Sequence, residues 1–159
     1  MKEMLQKLRE ASVDAILQAD IIVIGPGSLY TSIIPNFLVD GICEAIRASG
    51  AVREYILNIM MQDGETDGYT GEDHVRALLE HAGGGVIDVC IANNAPVPEK
   101  WLAPYRQEGV GQIELDREKI EALGVALREF PLCLPGRYIR HDPDALSRAI
   151  LSVWNEFEA

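Results

Sequence analysis

Basic residues are scarce in this sequence. Its 159 residues hold 14 Lys and Arg against 25 Asp and Glu, a formal net charge of −11. A chain that wrapped nucleic acid or an anionic membrane through bulk charge would lean the other way. Any anionic ligand must therefore be held by local groups. Cysteines are few as well: Cys43, Cys90 and Cys133 are far apart and form no CxxC. That excludes a disulfide framework and points to a reducing compartment. No apolar run approaches the roughly 20 residues of a membrane helix, and the opening MKEMLQKLRE has no signal-peptide pattern. The expectation is a cytoplasmic protein with neither a membrane nor a nucleic-acid partner. What is present is ordinary for a globular protein, with 48% hydrophobic and 25% charged residues, enough for one cored domain over residues 1–159.

Periodicity supplies the architecture. Met4, Leu5, Leu8, Ala11, Ala15 and Ile16 recur at helical spacing, predicting an amphipathic helix over 3–18. Ile21–Ile24 is an unbroken β-branched run, the pattern of a strand buried on both faces and flanked by neighbours on both sides. Gly25-Pro26-Gly27 stops it, and a single helix is predicted from Asn36 to Ala48. The unit repeats. A strand is predicted over 55–59, then a polar loop over 62–70, then a helix from Gly71 with Thr70 as N-cap and Asp73 three residues on. Val86–Ile91 reads as a third strand, Trp101–Gln107 as a short helix, and Gln112–Leu115 and Val125–Glu129 as two weaker strands. Asp142-Pro143 opens a final helix that carries Leu146, Ala149, Ile150, Val153 and Phe157 on one side. Strand–loop–helix alternation predicts an α/β protein, three-layered and Rossmann-like with a mostly parallel sheet. Ligands of such sheets sit beyond the carboxyl ends of the strands.

Three segments carry candidate chemistry. The first, Gly25-Pro26-Gly27-Ser28-Leu29-Tyr30-Thr31-Ser32, combines glycines that let backbone approach a ligand with three hydroxyls near a helix start. It reads equally as a phosphate cradle or as a glycine turn capped by serines, and it matches neither GxGxxG nor the Walker pattern. The second, Gln62–Thr70, holds Asp63, Glu65 and Asp67, either oxygen ligands for a divalent cation or a capped, solvated turn. Asn58 sits at a strand end, where a buried amide needs partners. The third segment, Tyr105-Arg106 with Arg137-Tyr138-Ile139-Arg140-His141, gathers cations and aromatics in an acidic chain. It suits phosphate and base recognition, or else its arginines neutralise neighbouring carboxylates. His74 and His81, seven apart on one helix, have no further ligand at metal spacing, so no metal site is assigned. His74, in the first turn, is a candidate ligand contact, and His81 a solvated surface residue.

The strings ADIIVIGPGSLYTSIIPNFLVDGICEAI and YILNIMMQDGETDGYTGEDHV resemble the CofD/YvcK-like family. The wording GPGSLYTS and GETDGYT leans toward its gluconeogenesis-factor branch. The resemblance runs over about residues 19–151 and covers the C-terminal half of the family, so the fold would be incomplete relative to the whole. It implies a Rossmann-like, often dimeric protein that binds a nucleotide-diphosphate sugar such as UDP-N-acetylglucosamine. That branch is tied to growth on gluconeogenic carbon sources and to cell morphology. Gly25, Gly27, Ser28, Leu29 and Ser32 would cradle the diphosphate, with Asn58, Tyr105 and Arg140 lining the same cleft. The alternatives are the transferase branch and a non-catalytic structural or dimerisation remnant. The transferase branch, 2-phospho-L-lactate transferase of coenzyme F420 synthesis, moves a phospholactyl group from a guanosine-activated donor with Mg²⁺. An unpaired Ile21–Ile24 strand also predicts a homo-oligomer.

Overall fold

A computed structural model describes residues 2–158 apart from 108, 135 and 137, and leaves aside the side chains of residues 2, 3 and 5; the predicted packing position Leu5 therefore lies outside the described side chains. Four parallel strands, β1 (Ile21–Ile24), β2 (Val52–Ile56), β3 (Val89–Asn93) and β4 (Ala126–Phe130), lie side by side in chain order. Side chains alternate across this sheet with the period of two that a strand imposes. Ile22, Ile24, Tyr55, Leu57, Cys90, Ala92 and Leu127 point to one face, where α2 (Ile34–Phe37), α3 (Ile42–Ala48), α4 (Gly71–Ala82) and α6 (Arg117–Ala122) cover them. Val52, Ile56, Val89 and Ile91 point to the other, under Ala149 and Val153 of α7 (Pro143–Glu158). These are the three layers expected of a Rossmann-like α/β fold. Each fully buried Ile or Leu contributes about 2 kcal/mol to it. No single helix among the described residues is long and apolar enough to cross a membrane.

Local signals decide several boundaries. Thr70 Oγ1 accepts from the Asp73 amide at 3.3 Å while Asp73 Oδ2 accepts from the Thr70 amide at 2.8 Å, the reciprocal box that the sequence predicts for the start of α4. Asp142 Oδ1 accepts from the amides of Asp144 and Ala145 at 2.9 and 3.0 Å, opening α7. The early helix, α1 (Lys2–Leu17), forms as predicted but packs only along one side, and Met4, Leu8 and Leu17 stay exposed.

Other expectations are corrected. The single helix predicted over 36–48 is two pieces: α2, which continues from a π-helical turn at Leu29–Ile33 and ends at Phe37, and then α3 from Ile42. Pro35 sits in the first turn of α2, where its missing amide costs no helix bond, and Gly41 turns left-handed at φ 87° to restart the chain as α3. β2 begins and ends about three residues earlier than predicted and β3 begins and ends two to three residues later, because Leu57, Ile59, Val86 and Ile87 are buried in the connections and apolarity alone does not separate them from strand. Gln112–Leu115 makes one bridge, Met60 to Gln112, and is no strand. Its next carbonyl, Glu114, is taken by the Gly71 amide at the start of α4. β1 has one neighbour, not two: it is an edge strand, with Val23 43% exposed. α5 (Glu99–Gln107) is longer than predicted and carries Pro104 inside it; a short hairpin, β5 (Cys133–Leu134) and β6 (Arg140–His141), leads into α7.

Candidate functional site

The turn after β1 is shaped by close approach. Gly25 adopts φ +86°, and a Cβ on it would meet the Ile56 carbonyl and Ile33 Cδ1 at 3.2 Å. A glycine is thus required where the loop crosses the end of β2. Leu29, fully buried, anchors the far side of the turn in the core. The Ser28 carbonyl receives the amides of Ser32 and Ile33 at 2.9 and 3.0 Å. The rest of the turn is held by residues far along the chain. Asn58 Nδ2 donates to the Gly27 carbonyl at 2.8 Å and to Gln62 Oε1 at 3.3 Å. The Glu65 carboxylate accepts from the Ser28 hydroxyl and, at 2.6 Å, from the Tyr30 amide. Ser28 Oγ in turn lies 2.6 Å from the Thr31 hydroxyl.

These contacts settle what the acidic loop does locally. Glu65 braces the first loop, Asp67 accepts from the Gly64 amide at 2.9 Å, and Asp63 is exposed. Thr66, fully buried, accepts from the Gln62 amide at 2.9 Å. No group of three or more metal-ligating side chains gathers among the described residues. The Tyr30 and Tyr69 hydroxyls meet at 2.8 Å, and that bond, with burial behind it, pushes the Tyr30 phenol up to about 12.

A cleft of about 660 Å³ opens beyond the carboxyl ends of β1 and β2. Pro26, Gly27 and Ser28 form one wall, Asn58 to Gln62 the floor, and Tyr105 with Ile139, Arg140 and His141 the opposite wall; Pro143 and Leu146 of α7 close one end. Five of the candidates, Gly27, Ser28, Asn58, Tyr105 and Arg140, therefore meet around one space. Three others from the first loop do not line it. Gly25 lies behind the turn, Leu29 is in the core, and Ser32 is exposed along a separate groove beside β1. His74 is also elsewhere. It is 1% exposed, its Nδ1 sits 2.9 Å from the Thr70 carbonyl, and its ring stands edge-on to Tyr69. Burial pushes its pKa below the usual imidazole value. His81 is exposed, as expected.

The arginines separate. Arg106 pairs with Glu99 at 2.7 Å, a neutralising role. Arg140 has no carboxylate partner among the described residues and stands 5.9 Å from the Tyr138 ring centroid. Arg137 lies outside the described residues. Tyr105 is tied to this wall, its hydroxyl accepting from the Ile139 amide at 2.9 Å. Sequence reasoning missed two participants. Glu65 is 37 residues from Ser28, and no short-range pattern links them. His141 directly follows Arg140 in the segment already singled out, so its presence in a cation-rich wall was the available signal.

Comparison with known proteins places the fold in a lineage. Residues 2–133 match the family model described as 2-phospho-L-lactate transferase CofD. Over 145 residues the chain is 45% identical to the gluconeogenesis factor of Halalkalibacterium halodurans, covering 91% of this chain and 45% of that protein. Over 146 residues it is 38% identical to the gluconeogenesis factor of Bacillus subtilis, covering 91% of this chain and 46% of that one. A crystal structure of a upf0052-family member from Bacillus halodurans superposes with a TM-score of 0.86 at 45% identity, over 89% of this chain and 46% of its own. The chain thus spans a little under half the length of these relatives. With a family model matching most of its length and relatives this similar, the chain belongs to the CofD family and lies beside the gluconeogenesis factors within it.

Proposed function

We propose that this chain binds a nucleotide-diphosphate sugar, UDP-N-acetylglucosamine, in the cleft between the Gly27–Ser28 turn and Arg140. In this reading it is a cytoplasmic regulatory protein of the gluconeogenesis-factor type, serving growth on gluconeogenic carbon sources and cell shape. One observation carries the proposal: Arg140, with no carboxylate partner among the described residues, faces a glycine–serine turn across a cleft of nucleotide size. In a chain of net charge −11, such an arginine is the local group that an anionic ligand needs. A guanidinium offers paired N–H donors to phosphate oxygens, and the turn brings backbone within reach of the same ligand. The methionines of the floor, Met60 and Met61, give an apolar bed for a base or sugar face. The gluconeogenesis-factor relatives support the regulatory role.

Calorimetric titration with UDP-N-acetylglucosamine, and separately with GDP, tests this. Uridine-selective binding that falls at least about tenfold in Arg140→Ala, the loss of one charge-assisted contact of roughly 1.5–3 kcal/mol, is the expected result. Guanine-selective binding would favour the transferase chemistry named in the family model's description. Absence of binding to either would remove the nucleotide-sugar reading.

A further inference from the structure

His141 lies on the wall of the cleft beside Arg140, and its ring is fixed by a single bond. Nε2 sits 3.1 Å from the Leu57 carbonyl oxygen, at the end of β2. A carbonyl only accepts, so Nε2 carries the proton. Burial pulls the imidazole pKa below its usual value despite that bond, and the ring is neutral at pH 7. In a neutral ring with Nε2 protonated, Nδ1 holds a lone pair and no hydrogen. Nδ1 has no hydrogen-bond partner among the described residues, nor is it among the buried polar atoms sealed from solvent. The residue lines the cleft. One wall of the cleft therefore carries an acceptor beside the donor Arg140.

We propose that His141 is a specificity-determining residue of this cleft, accepting a hydrogen bond through Nδ1 from a neutral donor of the ligand, a hydroxyl or an imide N–H, and not facing a phosphate. The inference rests on the nucleotide-sugar reading and deepens it: Arg140 and the Gly27–Ser28 turn take the anionic part, and His141 reads an uncharged part. A ligand lacking a donor there would leave a desolvated lone pair unpaired, which is how a polar pocket rejects near-isosteres. The charged and titratable groups on the elements packed with His141 are Cys133, its cross-strand partner on β5, Arg140 and Asp142 beside it in the chain, Asp144 in the first turn of α7, Tyr105 on the same side of the cleft, and Glu54 on β2 beneath α7. None of these is replaced in the test.

The test is calorimetric titration of the full chain with UDP-N-acetylglucosamine between about pH 5 and 8, for wild type, His141→Gln and His141→Phe. The sugar-capped diphosphate does not ionise in that window. Glutamine can keep an N–H donor on the Leu57 carbonyl while removing the acceptor at the Nδ1 position, so its thermal midpoint should stay close to wild type. Phenylalanine removes both. The expected result is affinity about three- to tenfold weaker in both variants, the range of one neutral hydrogen bond. Wild-type affinity should also weaken on acidification, as Nδ1 gains a proton and ceases to accept, and this pH dependence should vanish in His141→Gln. Equal affinity in wild type and His141→Gln would overturn the assignment and leave the nucleotide-sugar reading standing. So would tighter wild-type binding at low pH, the sign of a phosphate against the imidazolium. Failure of wild type to bind at any pH would overturn the nucleotide-sugar reading, and this inference with it.

Discussion

Glu54 is fully buried on β2, with Val23 of β1 and Val89 of β3 as its cross-strand partners. Strand alternation puts it on the same face as Val52 and Ile56, under α7. Among the described residues neither carboxylate oxygen has a hydrogen-bond partner, and neither has the indole N–H of Trp154, also in the α7 layer. Desolvation alone raises the Glu54 pKa from 4.5 to about 7. An acid whose pKa is higher in the folded than in the unfolded state holds its proton more tightly when folded. Its contribution to stability is therefore full below pH 4.5 and is lost as pH rises through about 7. At about 1.4 kcal/mol per pH unit, the ceiling on that loss is about 3 kcal/mol. The neighbouring Val23 is 43% exposed, so water comes close and screens the ionised form; we expect about 2 kcal/mol. Glu54→Gln keeps the volume and removes the ionisation. Urea unfolding followed by circular dichroism at pH 5, 6, 7 and 8 should show the variant gaining on wild type as pH rises. At pH 8 the variant should be ahead by about 2 kcal/mol relative to pH 5. A stability difference that stays the same at all four pH values would refute the reasoning, because it would mean Glu54 titrates alike in the folded and unfolded chains.

Two further outcomes follow from contacts already described. Glu65→Gln retains an acceptor for the Tyr30 amide while removing a negative charge from behind the Ser28 turn. If that turn holds a diphosphate, binding of UDP-N-acetylglucosamine should tighten about threefold or more, from relief of roughly 1 kcal/mol of like-charge repulsion. Calorimetry showing unchanged affinity would place the phosphates away from Ser28. The open β1 edge, flanked by exposed apolar residues on α1, should drive self-association. Sedimentation equilibrium should show species heavier than 17.5 kDa for wild type, shifted toward that mass by Val23→Lys. A wild-type protein sedimenting only at 17.5 kDa would count against an edge that seeks a partner.

What the sequence by itself determined is what depends on neighbours a few residues apart. The capping box at Thr70 and Asp73 and the Asp142 cap of α7 each close through hydrogen bonds spanning two or three positions, so residue types at fixed spacing suffice to read them. Alternating strands and helices imposed the parallel α/β class, and the glycines around Pro26 marked a turn. Tertiary structure decided the rest, because the deciding contacts join distant parts of the chain. An apolar run cannot report how many neighbours a strand will have, and β1 became an edge strand only once the order of the sheet was set. Leu29 and Ser28 are adjacent, yet the core took one and the cleft kept the other. His74 shares a first turn with the loops but was drawn under Tyr69. Glu65 reached Ser28, and His141 reached the Leu57 carbonyl 84 residues away. Two arginines of one composition were given different work by a single carboxylate: Glu99 lies within reach of Arg106, while Arg140 was left facing the cleft.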